Sequence, residues 1–412
     1  MFLFYVRAAD EELASTCATS QDTTTTCANN KSSALQTEPP KDVSGGFLIF
    51  ALAMGRYGNQ MEHLLGALAE AKRRAPRRIV VLPSFIVWRY GRGRKNAHIP
   101  VEAVFDLDTL RRDFHPNIVT YEEFQRIELR WNSEDATIYC NSAHKAMDHF
   151  KCTPDVGQGT YWYALGIEFT KEHYFHNTVF NLSSKDHPVI IVSNALSAPF
   201  PMRPQDRYVA KYLKWTERME ERRQTFLAEN GISEDDLVVA SHLRAGSDWV
   251  NACEHALGRD TYMASPQCTE EMRRHDIDTL SMELCLPTVD VGSVASDLQR
   301  AAEQVREKSK KKGGRVVLFV ATDVPGLGEK IWSEYSLGDI YDLLISTTEP
   351  ADANTDSDGV DALMGDSSFL DLNVMTQATY LLGNCVSSFT SFGARIRKEQ
   401  GIGLGTEFFG LL

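Results

Sequence analysis

Residues 237–249 read Leu237-Val238-Val239-Ala240-Ser241-His242-Leu243-Arg244-Ala245-Gly246-Ser247-Asp248-Trp249. The apolar start of this segment predicts a buried strand, and the polar residues after it predict the following loop. Ligands of open α/β sheets bind at the carboxyl ends of the strands, where this loop lies. There the permanent charge and planar donors of Arg244 suit a diphosphate, while His242 and Asp248 can position a hydroxyl or a sugar. Taken alone, the segment fits a structural turn equally well.

Strand and helix patterns alternate on both sides of this segment. Before it, the predicted elements are 47–52, 59–74, 78–83, 187–192 and 206–230. From it onward, they are 237–242, 294–311, 315–320, 367–378 and 379–382. Two βαβ-type halves that meet near residue 230 indicate an α/β protein with two Rossmann-like domains facing each other across a cleft. We place the N-terminal domain at 46–230 and the C-terminal domain at 231–412.

The composition supports a globular, enzyme-sized protein. The chain has 412 residues, of which 43% are hydrophobic and 10% aromatic, and this length favours two domains. Its 43 basic and 56 acidic residues give a net charge of −13, which disfavours nucleic acid or an anionic membrane as the main partner. No apolar run approaches the roughly 18 residues needed to span a bilayer.

Two segments are too polar to bury much surface. Residues 1–45 are predicted to form a flexible tail, and its apolar start, Met1 to Val6, is shorter than the core of a typical secretory signal. Residues 347–366 carry acidic side chains without a basic one. They are predicted to form a solvated acidic insertion in the C-terminal domain.

Two further turns follow predicted strands. One is Met54-Gly55-Arg56-Tyr57-Gly58-Asn59-Gln60, which opens a helix, and the other is Leu381-Leu382-Gly383-Asn384-Cys385-Val386-Ser387-Ser388-Phe389. Between them lie Asn251-Ala252-Cys253, Met263-Ala264-Ser265-Pro266-Gln267-Cys268 and Cys285-Leu286-Pro287. Together with residues 242–249, this ordered set resembles the protein O-fucosyltransferase family that acts on EGF-like repeats. The resemblance spans roughly residues 45–410.

The resemblance implies the two-domain arrangement called GT-B and an inverting glycosyltransferase. The donor would be GDP-fucose, and the acceptor a Ser or Thr hydroxyl of a folded EGF-like repeat. Another acceptor, such as a thrombospondin repeat or a glycan, and a non-catalytic chaperone for EGF-repeat proteins remain as alternatives. The implied compartment is the lumen of the endoplasmic reticulum, where Asn181, in the sequon Asn181-Leu182-Ser183, would be glycosylated.

Catalysis is expected to depend on Arg244 and Asn59. Arg244 would stabilise the charge that develops on the departing diphosphate. Asn59, which the resemblance places across the cleft near fucose and acceptor, has no titratable group and cannot be a general base. Asp371, 14 residues before Cys385, is implied to read guanine N1–H and the 2-amino group.

Further contacts with GDP-fucose are implied for other residues of the motifs. They are Arg56, Tyr57, Gly58, His242, Asp248, Tyr262, Ser387, Ser388, Phe389 and Arg397. The turn at Ser387 and Ser388 enters a helix, whose first backbone N–H groups form an anion pocket. Tyr57 and Tyr262 stand where the family has phenylalanine, and a solvated surface charge is the alternative for Arg397.

The six cysteines after residue 46 can form three disulfides in several combinations, and six reduced thiols are the alternative. The resemblance selects Cys140 with Cys152, Cys253 with Cys285, and Cys268 with Cys385. The pairing of Cys17 and Cys27 stays open.

A DxD pattern, typical of metal-dependent glycosyltransferases, occurs at 106–108, 276–278 and 356–358. A three-residue pattern that occurs three times is weak evidence for a site. We therefore expect neither a metal nor a cofactor.

Overall fold

A computed structural model of the chain describes residues 42–50, 52, 55–87, 97–127, 136–141, 169–175, 181–192, 204–259, 266–309, 314–347 and 359–411. Both halves belong to one unit, Glu38–Leu412. The predicted α/β class is confirmed, because two parallel sheets are each flanked by helices. No helix within the described ranges is long and apolar enough to cross a bilayer.

Eight strands lie among the described residues of the first half. They are β1 (Phe47–Phe50), β2 (Ile79–Leu82), β3 (Phe85–Val87), β4 (Ala97–Ile99), β5 (Ile118–Thr120), β6 (Ala136–Asn141), β7 (Phe169–Phe175) and β8 (Val189–Val192). Six of them form a parallel sheet in the order β5-β2-β1-β8-β6-β7, while β3 and β4 pair antiparallel. Strands β1 and β2 are buried throughout, which explains why both read as unbroken apolar runs.

The second half contains a five-stranded parallel sheet. Its strands are β9 (Leu237–Leu243), β10 (Val316–Thr322), β11 (Leu343–Ile345), β12 (Tyr380–Gly383) and β13 (Gly405–Phe408). Their order is β11-β10-β9-β12-β13, so β9 lies at the centre. The register places Thr322 beside Leu243 and Gly383 beside His242. The loops that follow β9, β10 and β12 therefore meet at one edge of the sheet.

Helices cover the faces of both sheets. In the first half they are α1 (Tyr57–Arg74), α2 (Val101–Val104), α3 (Leu107–Asp113), α4 (Tyr121–Ile127) and α5 (Glu217–Glu229). In the second half they are α6 (Ser247–Ala256), α7 (Pro266–Arg274), α8 (Met282–Cys285), α9 (Val291–Lys308), α10 (Leu327–Glu334), α11 (Val360–Gly365), α12 (Ser367–Gln377) and α13 (Ser388–Gln400). Short 3-10 helices occupy Pro204–Tyr212, Pro287–Val289 and Leu337–Asp339.

The prediction of a single helix over 206–230 is wrong. A 3-10 helix ends at Tyr212, and α5 begins after Thr216, whose hydroxyl accepts the Met219 N–H. Between them, Trp215 forms an antiparallel β-bridge with Phe105, and its indole N–H donates to Thr376 Oγ1 at 2.9 Å. We attribute the break to this tryptophan, because its anchoring contacts require backbone that a continuous helix does not provide.

One apolar core extends from the first half into the second. It contains first-half residues such as Leu48, Leu64 and Phe85 together with Leu363, Phe369, Leu372, Phe392 and Ile396 from α11, α12 and α13. Polar side chains reinforce this interface. Glu62 of α1 forms a buried ion pair with Arg395 of α13. Arg222 of α5 donates to the carbonyl oxygens of Leu363, Met364 and Asp366 at 2.8–3.1 Å.

Candidate active site

Arg244 directly follows β9 and is held between two carboxylates. Its Nη2 lies 2.7 Å from Asp248 Oδ2, and its Nη1 pairs with Asp323 Oδ2. The guanidinium lies 5.5 Å from the centroid of the Trp249 ring. Only 13% of the side chain is exposed, and partial removal from water strengthens the electrostatic interactions of its charge.

Asp323 also holds the backbone of the loop after β9. The N–H groups of Ala245 and Gly246 donate to its Oδ1 at 2.9 and 3.1 Å. Thr322 lies beside Leu243 at the ends of the two strands. The residues that follow them, Asp323 and Arg244, therefore lie next to each other. Sequence reasoning missed Asp323. The signal that could have found it is its place in the sequence. Asp323 is the first residue after the apolar run that begins in the predicted strand 315–320 and continues to Thr322.

The glycine-rich turn of the first half contacts this loop. Arg56 Nη2 lies 3.7 Å from Asp248 Oδ2. Gly58 lies so close to the second half that a Cβ atom would be 2.5 Å from Phe389 N and 2.6 Å from Ser388 Oγ. Beside it, Asn59 Oδ1 accepts a hydrogen bond from Ser388 Oγ at 2.5 Å. The turn therefore needs glycine at position 58 and places Asn59 at the boundary of the two halves.

The turn after β12 forms a third side of the site, and Asn384 fixes its shape. Asn384 Oδ1 accepts the Val386 and Ser387 N–H groups at 3.0 and 3.3 Å, while its Nδ2 donates to Cys285 O at 2.6 Å. Ser387 is the N-cap residue of α13, and its side chain makes no capping hydrogen bond. The first N–H groups of a helix lack intrahelical acceptors, so this end of α13 suits an anion.

His242 lies in β9 beneath these turns. Its Nδ1 is 2.6 Å from Thr390 Oγ1, and its ring centroid is 5.0 Å from that of Phe389. Burial, aided by the charge of Arg244, lowers the pKa of His242 to about 3. The imidazole is therefore neutral at physiological pH, and it can act as a hydrogen-bonding group but not as a cation.

Tyr57 is engaged in the interface between the halves. Its hydroxyl donates to Asp366 Oδ2 at 2.9 Å, and its ring centroid lies 4.2 Å from that of Phe369. Burial, the largest influence, raises the pKa of the Asp366 carboxyl despite this hydrogen bond. We therefore assign the Tyr57 side chain to the interface and not to the predicted contact with GDP-fucose.

The predicted donor contact of Arg397 is corrected by the structure. Its side chain is buried in α13, where Nη1 donates to Ala378 O at 2.5 Å and Nη2 to Gly405 O at 2.9 Å. Nε donates to Thr406 Oγ1 at 2.9 Å. Each guanidinium nitrogen thus binds an atom of the protein at the ends of α12 and β13. The helix face of Arg397 is turned into the fold, which the sequence pattern did not indicate.

Asp371 lies in α12 and is largely buried. Its Oδ1 accepts a hydrogen bond from Thr347 Oγ1 at 2.6 Å, so this threonine orients the carboxylate. Guanine recognition by Asp371 stays a prediction. Tyr262, also predicted near the nucleotide, lies outside the described residues.

Two disulfides brace the second half, and both were expected. Cys253 of α6 pairs with Cys285, and Cys268 of α7 pairs with Cys385 in the turn after β12. The second bond ties the segment around α7 to the turn that carries Ser387 and Ser388. The predicted pair of Cys140 and Cys152 extends outside the described residues.

The assembled residues present positive charge that suits an anion. Arg56 and Arg244 supply positive charge, and the N-termini of α6 and α13 lie in the adjoining segments. Within the described ranges, no group of three or more His, Cys, Asp or Glu side chains is arranged to hold a metal ion. Of the DxD patterns, the one at 106–108 is a helix cap, because Asp106 accepts the N–H groups of Asp108 and Thr109.

Comparison with known proteins points to one family. The family model described as GDP-fucose protein O-fucosyltransferase matches residues 47–400. A protein of Caenorhabditis elegans, GDP-fucose protein O-fucosyltransferase 1, is 28% identical over 400 residues, which cover 91% of each chain. Among solved structures, POFUT1 in complex with GDP-fucose has a TM-score of 0.68 at 26% identity, covering 92% of this chain and 99% of that one. Its apo form has a TM-score of 0.70 at 26% identity, covering 90% of this chain and 100% of that one.

Proposed function

This chain belongs to the GDP-fucose protein O-fucosyltransferase family, and we propose that its acceptor is a Ser or Thr hydroxyl of a folded EGF-like repeat. As a member of that family it is a glycosyltransferase with the GT-B fold, and it moves fucose from GDP-fucose to protein. The finer proposals concern the acceptor, inversion at the anomeric carbon, and the residues that stabilise the reaction.

The observation that supports the donor site of the proposed reaction is the meeting of Arg56 and Arg244 at one carboxylate. The two arginines come from opposite halves and approach Asp248 Oδ2 at 3.7 and 2.7 Å. An anionic group placed between the halves would therefore face two guanidinium groups. The diphosphate of GDP-fucose is such a group, and planar arginine donors match its oxygens.

Arg244 stabilises the leaving group in the proposed step. As the bond between fucose C1 and the β-phosphate oxygen lengthens, negative charge grows on the phosphate. A preorganised cation aimed at that charge lowers the barrier. The acceptor oxygen bonds to C1 from the opposite side, which inverts the configuration. Asn59 has no titratable group and cannot take the hydroxyl proton, which is lost once the C1–phosphate oxygen bond has broken and ends on the released GDP or in solvent.

The EGF-like acceptor is supported by the ordered motifs around the site. The segments at Cys253, Cys268 and Cys285 accompany the arginine loop in the O-fucosyltransferases of EGF-like repeats that this chain resembles. All three of these cysteines lie in the disulfides that brace the arginine loop and the turn after β12. These segments favour the EGF-repeat enzymes over other GDP-fucose transferases.

The test is transfer of labelled fucose to a folded EGF-like repeat with Ser or Thr before its third cysteine. We expect incorporation at that hydroxyl and an inverted anomeric configuration by NMR. The same repeat with Ala at that position, and the reduced unfolded repeat, are the negative controls. A thrombospondin repeat and a free glycan are tested in parallel. Fucosylation of either of these without the EGF-like repeat would refute the proposed acceptor, and GDP-fucose binding without transfer would indicate a chaperone.

We also propose that the protein acts in the lumen of the endoplasmic reticulum without a metal. Disulfides persist in oxidising compartments, and two are present here. Asn181 is exposed, as a glycosylated asparagine must be. Loss of a glycan after Asn181→Gln, detected as a shift in mass of the protein from cells, would test the compartment.

A further inference from the structure

We propose that Asp323 is the positioning residue that fixes the guanidinium of Arg244 for fucosyl transfer. This inference deepens the proposed function and rests on the catalytic role given there to Arg244. It concerns a carboxylate that acts through Arg244 and makes no contact with the sugar in the proposed step.

The Asp323 carboxylate contacts both the side chain of Arg244 and the backbone of the turn that follows it. One carboxylate oxygen, Oδ2, pairs with Arg244 Nη1, and the other, Oδ1, accepts the Ala245 and Gly246 N–H groups. Three consecutive residues are thus held by one group on the neighbouring strand. An arginine side chain has several freely rotating bonds. A contact at the guanidinium, together with hydrogen bonds from the backbone of the next two residues, limits this freedom.

Gly246 shows how closely the carboxylate is packed against this turn. Its φ of −59° and ψ of 157° suit any residue, so backbone conformation does not require glycine. A Cβ atom there would, however, overlap Asp323 Oδ2 and lie 3.0 Å from Arg244 Nη1. Glycine at position 246 therefore leaves the space that the Asp323–Arg244 pair occupies.

Asp323 and Asp248 differ in exposure although both contact the same guanidinium. The Asp248 side chain is 57% exposed, whereas that of Asp323 is 20% exposed. Asp248 lies on the open side, where it is also near Arg56. A diphosphate can replace the exposed carboxylate on Nη2, while the enclosed one keeps its hold on Nη1. We infer that Asp323 is the partner that remains when the donor is bound.

A partner that fixes Arg244 should have a larger effect on kcat than on the affinity for GDP-fucose. A flexible Arg244 could still reach a bound diphosphate, but its position would vary as charge develops. Displacement of a catalytic group by about 1 Å can lower the rate about 100-fold. Loss of positioning should therefore lower kcat and leave the dissociation constant of GDP-fucose nearly unchanged.

The first test is Asp323→Asn, which preserves shape and an acceptor for the two N–H groups. Its amide nitrogen would face Arg244 Nη1, so that two donors oppose each other. We expect kcat to fall about 100-fold, with calorimetric binding of one GDP-fucose per chain and a dissociation constant within about threefold of wild type. The value of kcat is calculated per site that binds GDP-fucose. Partial unfolding of the sample alone therefore does not lower it.

Asp236→Asn is the matched control. At the opposite end of the same sheet, Asp236 pairs with Arg315 at 2.7 Å and accepts the Ser233 and Arg315 N–H groups at 2.8 and 3.2 Å. Asp236→Asn removes the same kind of carboxylate–arginine pair, but at the end of the sheet that lies away from Arg244. We expect this variant to lose stability and keep its kcat.

Gly246→Ala provides a second route if Asp323→Asn does not fold. The added methyl group would displace the Asp323 carboxylate. This variant should therefore also have a lower kcat, while it still binds one GDP-fucose per chain. Kcat within about threefold of wild type in the folded variants would overturn the proposal, and so would a weaker donor affinity without a fall in kcat.

Rates are measured as GDP release, both with the EGF-like repeat and with water as acceptor. In hydrolysis, the C1–phosphate oxygen bond breaks and a water oxygen bonds to C1, giving fucose, GDP and a proton. Wild-type protein that hydrolyses GDP-fucose but does not modify the repeat would refute the proposed acceptor. The role of Asp323 would still be decided by the hydrolysis rates.

Discussion

Ser388 Oγ donates its hydrogen to Asn59 Oδ1 at 2.5 Å and so links the two halves at the centre of the site. Since the amide oxygen accepts this bond, the Asn59 amide nitrogen is the atom available for a sugar or acceptor oxygen. A side chain without a titratable group is thereby oriented as a hydrogen-bond donor. This orientation agrees with a reaction in which Asn59 does not take the hydroxyl proton.

Ser388→Ala should lower kcat about three- to tenfold, because the net value of one hydrogen bond is about 0.5–1.5 kcal/mol. Ser391→Ala is the control, since Ser391 lies in the same helix and donates to Cys385 O within the second half. A double-mutant cycle with Asn59→Ala measures the coupling. If the effects of the two substitutions on kcat simply add, Ser388 does not orient Asn59.

Arg244→Ala should abolish most transfer and leave the fold intact. Removal of one donor that stabilises developing charge costs about 10²–10³ in rate. Arg244→Lys is expected to recover little, because an ammonium group lacks the planar fork of donors through which Arg244 binds its partners. Activity and circular dichroism are compared with those of Arg306→Ala, a surface substitution on α9. Full activity of Arg244→Ala would remove this residue from the mechanism.

Asp371→Ala should weaken binding of GDP-fucose, measured by calorimetry, more than binding of the acceptor. Discrimination against a donor with hypoxanthine in place of guanine should also shrink, because that analogue lacks the 2-amino group. Thr347→Val removes the hydroxyl that orients the carboxylate, and we expect a smaller effect in the same direction. Unchanged donor affinity in folded Asp371→Ala would show that guanine is read elsewhere.

Transfer should continue in excess EDTA. Arg56, Arg244 and helix N-termini offer the diphosphate its partners, so a bridging cation is not needed in the proposed site. The rate after dialysis against the chelator is compared with the rate after addition of manganese or magnesium. Complete loss of activity that manganese restores would contradict this expectation and return attention to the DxD patterns.

His63 should make the fold sensitive to acid. Burial lowers the pKa of His63 to about 3, from 6.5, so between these values the unfolded chain binds more protons than the folded one. The contribution of His63 is fully present above pH 6.5 and is lost as the pH falls toward 3. Its slope in the middle of this window is about 1.4 kcal/mol per pH unit.

His63→Gln should therefore reduce the decline in the free energy of unfolding between about pH 6 and pH 4. His255→Gln, at an exposed position on α6, is measured in parallel as the control for loss of a histidine. Denaturant titrations at a series of pH values provide the measurement. Equal pH dependence in wild type and His63→Gln would mean that the ring is not kept neutral by burial.

The sequence predicted the features that depend on one segment of chain. Apolar runs located β1, β2, β8, β9, β10 and β12 within a few residues, and the polar residues after β9 located Arg244. Contacts set by the register of two strands were not accessible in this way. Asp323 has no motif of its own, and its role follows only from the pairing of Thr322 with Leu243.

The errors arose where tertiary contacts override a local pattern. Residues 206–230 have a helical composition, but the anchoring of Trp215 interrupts the helix. Arg397 has the charge of a ligand-binding residue, yet its helix face is buried and its donors bind backbone oxygens. Periodicity identifies a helix but not which of its polar residues will be enclosed by neighbouring elements of the fold.

The shared core makes each half depend on the other for a complete apolar interior. Leu363, Phe369 and Phe392 complete the apolar interior beneath β1, so a second half expressed alone would present these side chains to water. Recombination that exchanged one Rossmann-like half for another would leave a mismatched surface there. Variation in donor or acceptor choice is therefore expected to accumulate in loops, while the halves are inherited as a matched pair.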